Sequence, residues 1–142
     1  MYAFEEEKLI EQVKEKKPKR ILLQLPEGLK KEGFRLARLI QEKTRVETII
    51  SGEPLWGACD VAVAEAKALK ADLIVIYGHA PFMKVDFPVV YVEVRFAKDI
   101  VPIVRKALKL LKGTTIGLVA SVQHIHQLAD VKQLLEKHGK NV

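Results

Sequence analysis

Short apolar runs alternate along the chain with longer stretches in which apolar and charged residues are mixed. The runs at 20–25, 46–50, 72–77, 89–94 and 115–120 have the length and the Val/Ile/Leu content of buried strands. The mixed stretches at 4–16, 29–43, 59–70, 97–112 and 122–138 repeat their apolar residues at helical spacing. Pro18 and Gly139 stand where the first and last of these helices are expected to end.

This alternation predicts an α/β fold. Strands that read as continuous apolar runs, each followed by a helix, are typical of a parallel sheet covered on both faces. We therefore expect a parallel sheet of four to five strands flanked by helices, in a flavodoxin-like three-layer sandwich. No Ser/Gly-rich linker interrupts the rhythm, so residues 1–142 are expected to form one α/β domain.

Composition excludes several classes of protein. With 49% hydrophobic and 30% charged residues, the chain is neither disordered nor low in complexity. No apolar run approaches the roughly 18 residues of a membrane span, and residues 1–17 are too charged for a signal peptide. A soluble cytoplasmic protein without a membrane partner is expected. Many lysines and glutamates beside a single Asn are typical of hyperthermophile proteins.

The net charge of +6 raises the question of nucleic-acid binding. The densest basic cluster, at 14–20, contains no aromatic residue on which a base could stack. A solvated basic face is favoured over a nucleic-acid interface, and no direct nucleic-acid partner is expected. Salt-dependent RNA binding through 14–20 stays a third hypothesis.

In a parallel sheet of this kind, ligands bind beyond the carboxyl ends of the strands. Five loops leave those ends, at 24–28, 51–60, 77–81, 93–96 and 120–126, and four of them hold Gly, His, Cys or Gln. The polar residues of an otherwise apolar pattern are therefore expected to collect at one edge of the sheet, which is the candidate site.

Cys59 is the only cysteine, so the chain alone forms neither a disulfide nor a multi-cysteine metal site. The pattern predicts that Cys59 begins the helix after the second strand, where the helix dipole would stabilise a thiolate. A small buried hydrophobe is an equally weighted interpretation. Asp60 would then be an ordinary carboxylate of the first helical turn, Trp56 a packing residue, and Gly57 would leave room for a ligand.

Histidines stand at two strand ends. His79 follows the third strand, and His124 and His126 follow the fifth, but a metal site needs three or four ligands, so polar capping is favoured for each. His138 is expected to complement the dipole of the last helix. Residues 24–28 lack the spacing of a phosphate-binding loop, and no nucleophile elbow is present. Cys–His catalysis, by Cys59 with His79 or His124, is left open.

Four segments at the predicted strand ends occur in a specific order, at 21–29, 57–61, 76–79 and 121–124. Together they resemble the N-terminal domain of the archaeal 2-(3-amino-3-carboxypropyl)histidine synthase family, which begins diphthamide biosynthesis. The resemblance implies a homodimeric radical enzyme with three similar domains, each giving one cysteine to a [4Fe-4S] cluster. It further implies S-adenosylmethionine as the donor of a 3-amino-3-carboxypropyl group and a histidine of translation elongation factor 2 as its acceptor.

By the same resemblance, Cys59 matches the first cluster cysteine. The S-adenosylmethionine site would draw on the strand-end loops, with the candidate residues Gln24, Pro26, Glu27, Gly28, Gly57, Asp60, Gly78, His79, Ser121, Gln123 and His124. Two further cysteines and their domains are not in this sequence, so the chain alone is expected to be inactive. The alternative is a non-catalytic flavodoxin-like module that binds a nucleotide or a protein. The enzyme hypothesis requires the Cys59 thiol to face the cavity at the strand ends and to point at other domains, whereas the alternative packs it in the core.

Overall fold

The structure is a computed structural model that describes residues 2–142, and the chain divides into two compact units. The larger unit is Phe4–Val94, and the smaller one combines residues 2–3 with Arg95–Val142. The strands are β1 (Tyr2–Ala3), β2 (Arg20–Gln24), β3 (Glu47–Ile50), β4 (Leu73–Tyr77), β5 (Val89–Val92) and β6 (Arg95–Phe96). The α-helices are α1 (Glu6–Lys16), α2 (Gly33–Thr44), α3 (Val63–Ala68), α4 (Val101–Ala107) and α5 (Leu128–Lys137), with 3₁₀ turns at Glu27–Glu32, Leu108–Leu110 and Ile125–Gln127.

The larger unit is built on a four-stranded parallel sheet in the order β3-β2-β4-β5. Its second strand along the chain thus lies outside the first, which is the start of the flavodoxin-like order. Leu22 of β2 pairs with Ile49 of β3 on one side and Ile74 of β4 on the other. The two central strands are buried on both faces, which is why they read as continuous apolar runs.

Two hydrophobic clusters cover the two faces of this sheet. Because side chains alternate across a strand, Ile21 and Leu23 pack with residues of α1 and α2, whereas Leu22 packs with Ala66 of α3 and with Leu55. The α/β fold with a helix-flanked parallel sheet is thereby confirmed. Its four strands lie within the predicted runs, each trimmed by a residue or more at its ends.

The prediction of a fifth strand at 115–120 is wrong. Among residues 2–142, this segment pairs only at an isolated bridge between Thr115 and Asn141, and Val119 is 95% exposed. An apolar run becomes a strand only where a neighbouring backbone accepts its hydrogen bonds. The predicted helices at 97–112 and 122–138 are also shorter than expected, since each includes a 3₁₀ turn beside α4 or α5.

In the smaller unit, β1 and β6 form an antiparallel pair in which the rings of Tyr2 and Phe96 meet edge to face at 5.7 Å. Gln127 is buried, and its side-chain nitrogen donates to the carbonyl oxygens of Phe96 (3.2 Å) and Lys98 (3.1 Å). Its oxygen accepts the N–H of Ile100 at 2.9 Å. Gln127 thus fixes the segment that leads into α4. No helix within residues 2–142 is long and apolar enough to cross a membrane.

Candidate functional site

Gln24 ends β2 at the carboxyl edge of the sheet, where its side chain is fully buried. Its nitrogen Nε2 donates to the carbonyl oxygen of Asp60 at 2.7 Å, and its oxygen Oε1 accepts the N–H of Ala62 at 3.1 Å. The resemblance assigns Gln24 to the S-adenosylmethionine site. In the structure the amide binds the loop after β3, so it ties this loop to the rigid centre of the sheet.

Asp60 folds the tip of the same loop into a tight turn. Its carboxylate accepts the backbone N–H groups of Trp56 (2.9 Å) and Gly57 (3.0 Å), while its own N–H donates to the carbonyl of Gly57 at 3.0 Å. Cys59 lies inside this turn, and its thiol is exposed, 3.8 Å from Oδ1 of Asp60. The side chain of Asp60, which follows the thiol, therefore fixes the backbone that precedes it.

Cys59 does not begin a helix, so that prediction is wrong. Helix α3 starts at Val63, because Gln24 and Asp60 hold residues 56–62 in a non-helical loop. Neither Cys59 nor Asp60 lies in a first helical turn. Cys59 is also not the small buried hydrophobe of the other interpretation, and Trp56, expected to pack, is 78% exposed. The thiol lies outside the core, in the loop after β3, which argues against the packed position that the alternative module requires.

The beginning of the loop is held by a second set of contacts, which the sequence analysis missed. The buried Ser51 donates its hydroxyl hydrogen to Glu65 of α3 and accepts the N–H of Glu53 at 3.2 Å. The other carboxylate oxygen of Glu65 accepts the N–H of Gly52 at 3.1 Å. A serine directly after a strand and a glutamate in the next helix were the available signal. The loop is thus anchored at both ends.

The loop after β4 meets the loop after β2. Gly78 has a φ of +78° and donates its N–H to the carbonyl of Val92 at 2.8 Å. A Cβ atom on Gly78 would lie 3.4 Å from both Cγ of Pro26 and Cδ1 of Leu29. Glycine therefore allows a left-handed backbone in close contact with the Pro26 loop. His79 follows it, with a ring nitrogen Nδ1 that is buried and has no hydrogen-bond partner among residues 2–142.

Glu27 and Gly28 are exposed candidates in the larger unit. The carboxylate of Glu27 pairs with Lys30 at 2.7 Å, and no atom of residues 2–142 lies within 4 Å of a Cβ added to Gly28. The structure thus brings together two groups of candidates in this unit. Gln24 and Asp60 are joined by hydrogen bonds, and Pro26 and Gly78 by packing.

Ser121, Gln123 and His124 belong to the smaller unit and meet around Phe96. The carbonyl of Ser121 accepts the N–H of His124 at 2.9 Å, and the carbonyl of Gln123 accepts the N–H of Phe96 at 2.9 Å. The His124 ring lies 5.0 Å from the Phe96 ring, and its Nδ1 is buried without a partner in the described part of the chain. Ring packing thus holds His124 in place.

His138 directly follows the last helix, and its Nδ1 lies 2.8 Å from the carbonyl oxygen of Leu134.

The residues present set limits on a metal centre. Within residues 2–142 no three His, Cys, Asp or Glu side chains are placed so as to hold a metal ion together. An iron–sulfur cluster takes three or four thiolates. This chain can supply one of them, the exposed thiol of Cys59, from a loop held by hydrogen bonds. An exposed thiol beside Gly57 and Ala58 fits a ligand that approaches from outside the chain.

The larger unit is thus a flavodoxin-like α/β domain that carries a thiol-bearing loop at the edge where such sheets bind ligands. The particular family follows from comparison with known proteins. Residues 25–142 match the family model described as "Putative diphthamide synthesis protein", and the chain belongs to this family.

Similar proteins carry the same name across distant organisms. The whole chain is 32% identical to the 2-(3-amino-3-carboxypropyl)histidine synthase of Pyrococcus horikoshii, of which it spans 42%. A 79-residue stretch, 56% of this chain, is 43% identical to subunit 1 of the synthase from Danio rerio, of which it covers 21%. The crystal structure of Dph2 from Pyrococcus horikoshii with a 4Fe-4S cluster matches the whole chain with a TM-score of 0.91 at 32% identity. The chain spans 43% of that structure, less than half the length of its relative.

Proposed function

We propose that this chain is the N-terminal part of a 2-(3-amino-3-carboxypropyl)histidine synthase and that Cys59 is one ligand of its [4Fe-4S] cluster. The observation that carries the proposal is the match of the whole chain to a cluster-containing Dph2, combined with a single thiol exposed at the strand-end edge. The other ligands would come from outside residues 2–142, because this part of the chain offers no further thiol.

The reaction proposed for the complete enzyme is a group transfer. When bound, the cluster supplies the electron that cleaves the Cγ–S bond of S-adenosylmethionine, which yields methylthioadenosine and a 3-amino-3-carboxypropyl radical. The acceptor is the imidazole C2 of a histidine on translation elongation factor 2. In the balanced reaction, the 3-amino-3-carboxypropyl group replaces the hydrogen on C2, which leaves as a proton. The electron spent in the cleavage is regained when the C2 adduct gives one up, so no net reductant is consumed. In this proposal the complete enzyme is a cytoplasmic homodimer, and the 142-residue chain alone is inactive.

The strand-end loops of the larger unit are proposed to contact S-adenosylmethionine. Gly28 presents open backbone, which permits close approach of a ligand, and Gly57 lies directly beside the thiol, since a Cβ added to it would be 3.5 Å from Sγ of Cys59. His79 offers a ring nitrogen without a partner among the described residues. Pro26 and Gly78 hold their two loops together, so they would shape the site rather than bind. From the smaller unit, Ser121, Gln123 and His124 are proposed for the same ligand on the resemblance alone, each by its place in the 121–124 segment.

A chimeric enzyme tests the cluster assignment. This chain replaces the matching N-terminal part of the Pyrococcus horikoshii synthase, and the product is loaded anaerobically with iron and sulfide. The chimera is expected to show charge-transfer absorbance with about four irons per chain and to release methylthioadenosine from S-adenosylmethionine on reduction. Cys59→Ser, which keeps size and polarity but removes the thiolate, is expected to lose most of the cluster and all of the product.

The matched control is Ser121→Cys in the Cys59→Ser background, which restores the number of thiols at another predicted site residue. It is expected not to restore the cluster, since position as well as chemistry defines a ligand. Full iron and sulfide content in Cys59→Ser, with unchanged methylthioadenosine formation, would refute the assignment.

A further inference from the structure

The Cys59 loop is held by one buried side chain from the sheet, that of Gln24. The backbone of Gln24 is paired with Ile76 of β4, so it belongs to a central strand of the sheet. Its side chain has no exposed surface and both of its polar atoms are bonded to the loop, at Asp60 and Ala62. These two positions are one and three residues after the thiol along the chain.

The hydrogen bonds continue from Gln24 to the residues before the thiol. Gln24 holds the carbonyl of Asp60, and the carboxylate of Asp60 holds the N–H groups of Trp56 and Gly57. Cys59 is enclosed between these contacts, within a turn closed by the N–H of Asp60 on the carbonyl of Gly57. We infer that Gln24 is a positioning residue for the Cys59 thiol, acting through Asp60. The importance of this for a cluster rests on the proposed function, whereas the contacts themselves do not.

The chemistry of the contact requires an amide. The loop presents one acceptor, the carbonyl of Asp60, and one donor, the N–H of Ala62, in a buried place. A glutamine side chain offers the complementary donor and acceptor at once. A carboxylate would satisfy only the N–H, and an aliphatic side chain would satisfy neither. Unsatisfied buried groups favour local opening of the loop.

The chain contains a second buried glutamine that does the same for another segment. Gln127 in the smaller unit donates to the carbonyls of Phe96 and Lys98 and accepts the N–H of Ile100. A substitution of Gln127 therefore removes the same kind of contact without touching the Cys59 loop. It provides a matched control for any general loss of stability.

Two measurements on the cluster-free 142-residue protein test the inference. The first is the hydrogen-exchange rate of the loop amides, including that of Ala62, and the second is the reaction rate of Cys59 with 4,4′-dithiodipyridine. Gln24→Leu is expected to raise the exchange rate of Ala62 by about tenfold or more, the loss expected for a buried hydrogen bond. The thiol reaction rate is expected to change by about threefold or more, because the turn around Cys59 relaxes. Gln127→Leu is expected to leave both rates within twofold of the native values, which corresponds to ~0.4 kcal/mol or less in activation free energy.

Gln24→Glu supplies a conservative variant that can be rescued. At pH 8 its buried carboxylate lacks a hydrogen for the carbonyl of Asp60, so both rates are expected to depart from those of the native protein. At pH 5.5 a buried carboxyl group takes up a proton more readily and can donate again, so both rates are expected to approach native values. Each variant is compared with the native protein at the same pH, so that only the difference between variant and native protein is used.

The outcomes separate the inference from the proposed function. Native rates in Gln24→Leu, or equal changes in Gln127→Leu, would overturn the inference. If Gln24→Leu fails to fold, Gln24→Glu decides by the presence or absence of recovery at pH 5.5. None of these rates depends on a cluster, so loss of the cluster assignment in the chimera would leave the positioning result standing.

Discussion

Replacing Tyr77 by phenylalanine is expected to stabilise the larger unit, although it removes a polar group from its core. Tyr77 ends β4 with no exposed surface, and its hydroxyl is buried without a hydrogen-bond partner among residues 2–142. Its ring packs on that of Phe4 at 5.9 Å, a contact that phenylalanine would keep. The substitution therefore deletes only the unsatisfied hydroxyl.

The magnitude has a part that is independent of pH and a part that grows in alkali. An unsatisfied buried hydroxyl costs about 1–3 kcal/mol, so Tyr77→Phe should raise the free energy of unfolding by about 1 kcal/mol at pH 7. Burial also raises the pKa of the Tyr77 hydroxyl, chiefly by desolvation and secondarily through the charge of Glu6. Above about pH 10 the unfolded chain then loses a proton that the folded protein retains, so native stability falls as pH rises. At pH 11 this adds about 1.4 kcal/mol to the advantage of the variant.

Urea unfolding followed by far-ultraviolet circular dichroism, at pH 7 and pH 11, measures both parts. Only the difference between variant and native protein is used at each pH, which cancels the titration of the other groups. Two tyrosines serve as graded controls. Tyr91 is partly buried, and its hydroxyl has no hydrogen-bond partner among residues 2–142, so Tyr91→Phe should give a smaller gain. Tyr2→Phe, at a 43% exposed position, should be neutral.

Two results would refute this reasoning. A loss of stability in Tyr77→Phe at pH 7 would mean that the hydroxyl has a stabilising partner in solution. An advantage that stays constant between pH 7 and pH 11 would mean that the folded protein ionises Tyr77 as easily as the unfolded chain does.

Three further predictions concern the cluster, a glycine and a carboxylate. The 142-residue chain alone, loaded with iron and sulfide, should hold no stable cluster, as measured by absorbance and iron analysis. A stable cluster in a one-to-one ratio to the chain would contradict the need for thiolates from outside it. Gly78→Ala should lower the free energy of unfolding by about 1–2 kcal/mol, more than Gly139→Ala does. Both glycines have a positive φ, but of the two only Gly78 has close neighbours among residues 2–142. Equal losses in urea unfolding would contradict this. Burial alone would raise the pKa of Asp72, but hydrogen bonds from the N–H groups of Lys19 and Arg20 leave it below its usual value. Asp72→Ala should therefore lower the free energy of unfolding by about 1 kcal/mol at pH 7, and this loss should shrink as pH falls below about 4. A loss that does not depend on pH would show that the charge has no role.

The sheet could be predicted from the sequence because its central strands are buried on both faces. Residues 21–23 and 73–77 are unbroken apolar runs, whereas the helices between them mix apolar with charged residues. The segment at 115–120 is also largely apolar, yet its formation as a strand depends on a partner strand, which composition does not encode. The error therefore lies in treating an apolar run as sufficient for a strand.

The helix after β3 begins later than its periodicity predicts, and the reason differs from the one at 115–120. Residues 59–70 are rich in alanine and have good helical periodicity, and α3 does form at their centre. At 56–62, side chains of Gln24 and Asp60 bind backbone groups that a longer helix would use. Aspartate competes in this way with helical hydrogen bonds wherever a turn is available. A contact with a residue more than thirty positions away therefore overrides the local helical propensity.

The sequence nevertheless carried a signal of that contact, in the polar residue that ends β2. An amide at the end of a buried apolar run must find partners, and it finds them in whichever loop lies beside it. The neighbour is the loop after β3 because β3 lies next to β2, an order that the sequence does not reveal. Given that order, Gln24 and the Cys59 loop have to meet at the carboxyl edge. The position of the thiol is therefore a consequence of sheet topology, expressed through one buried glutamine.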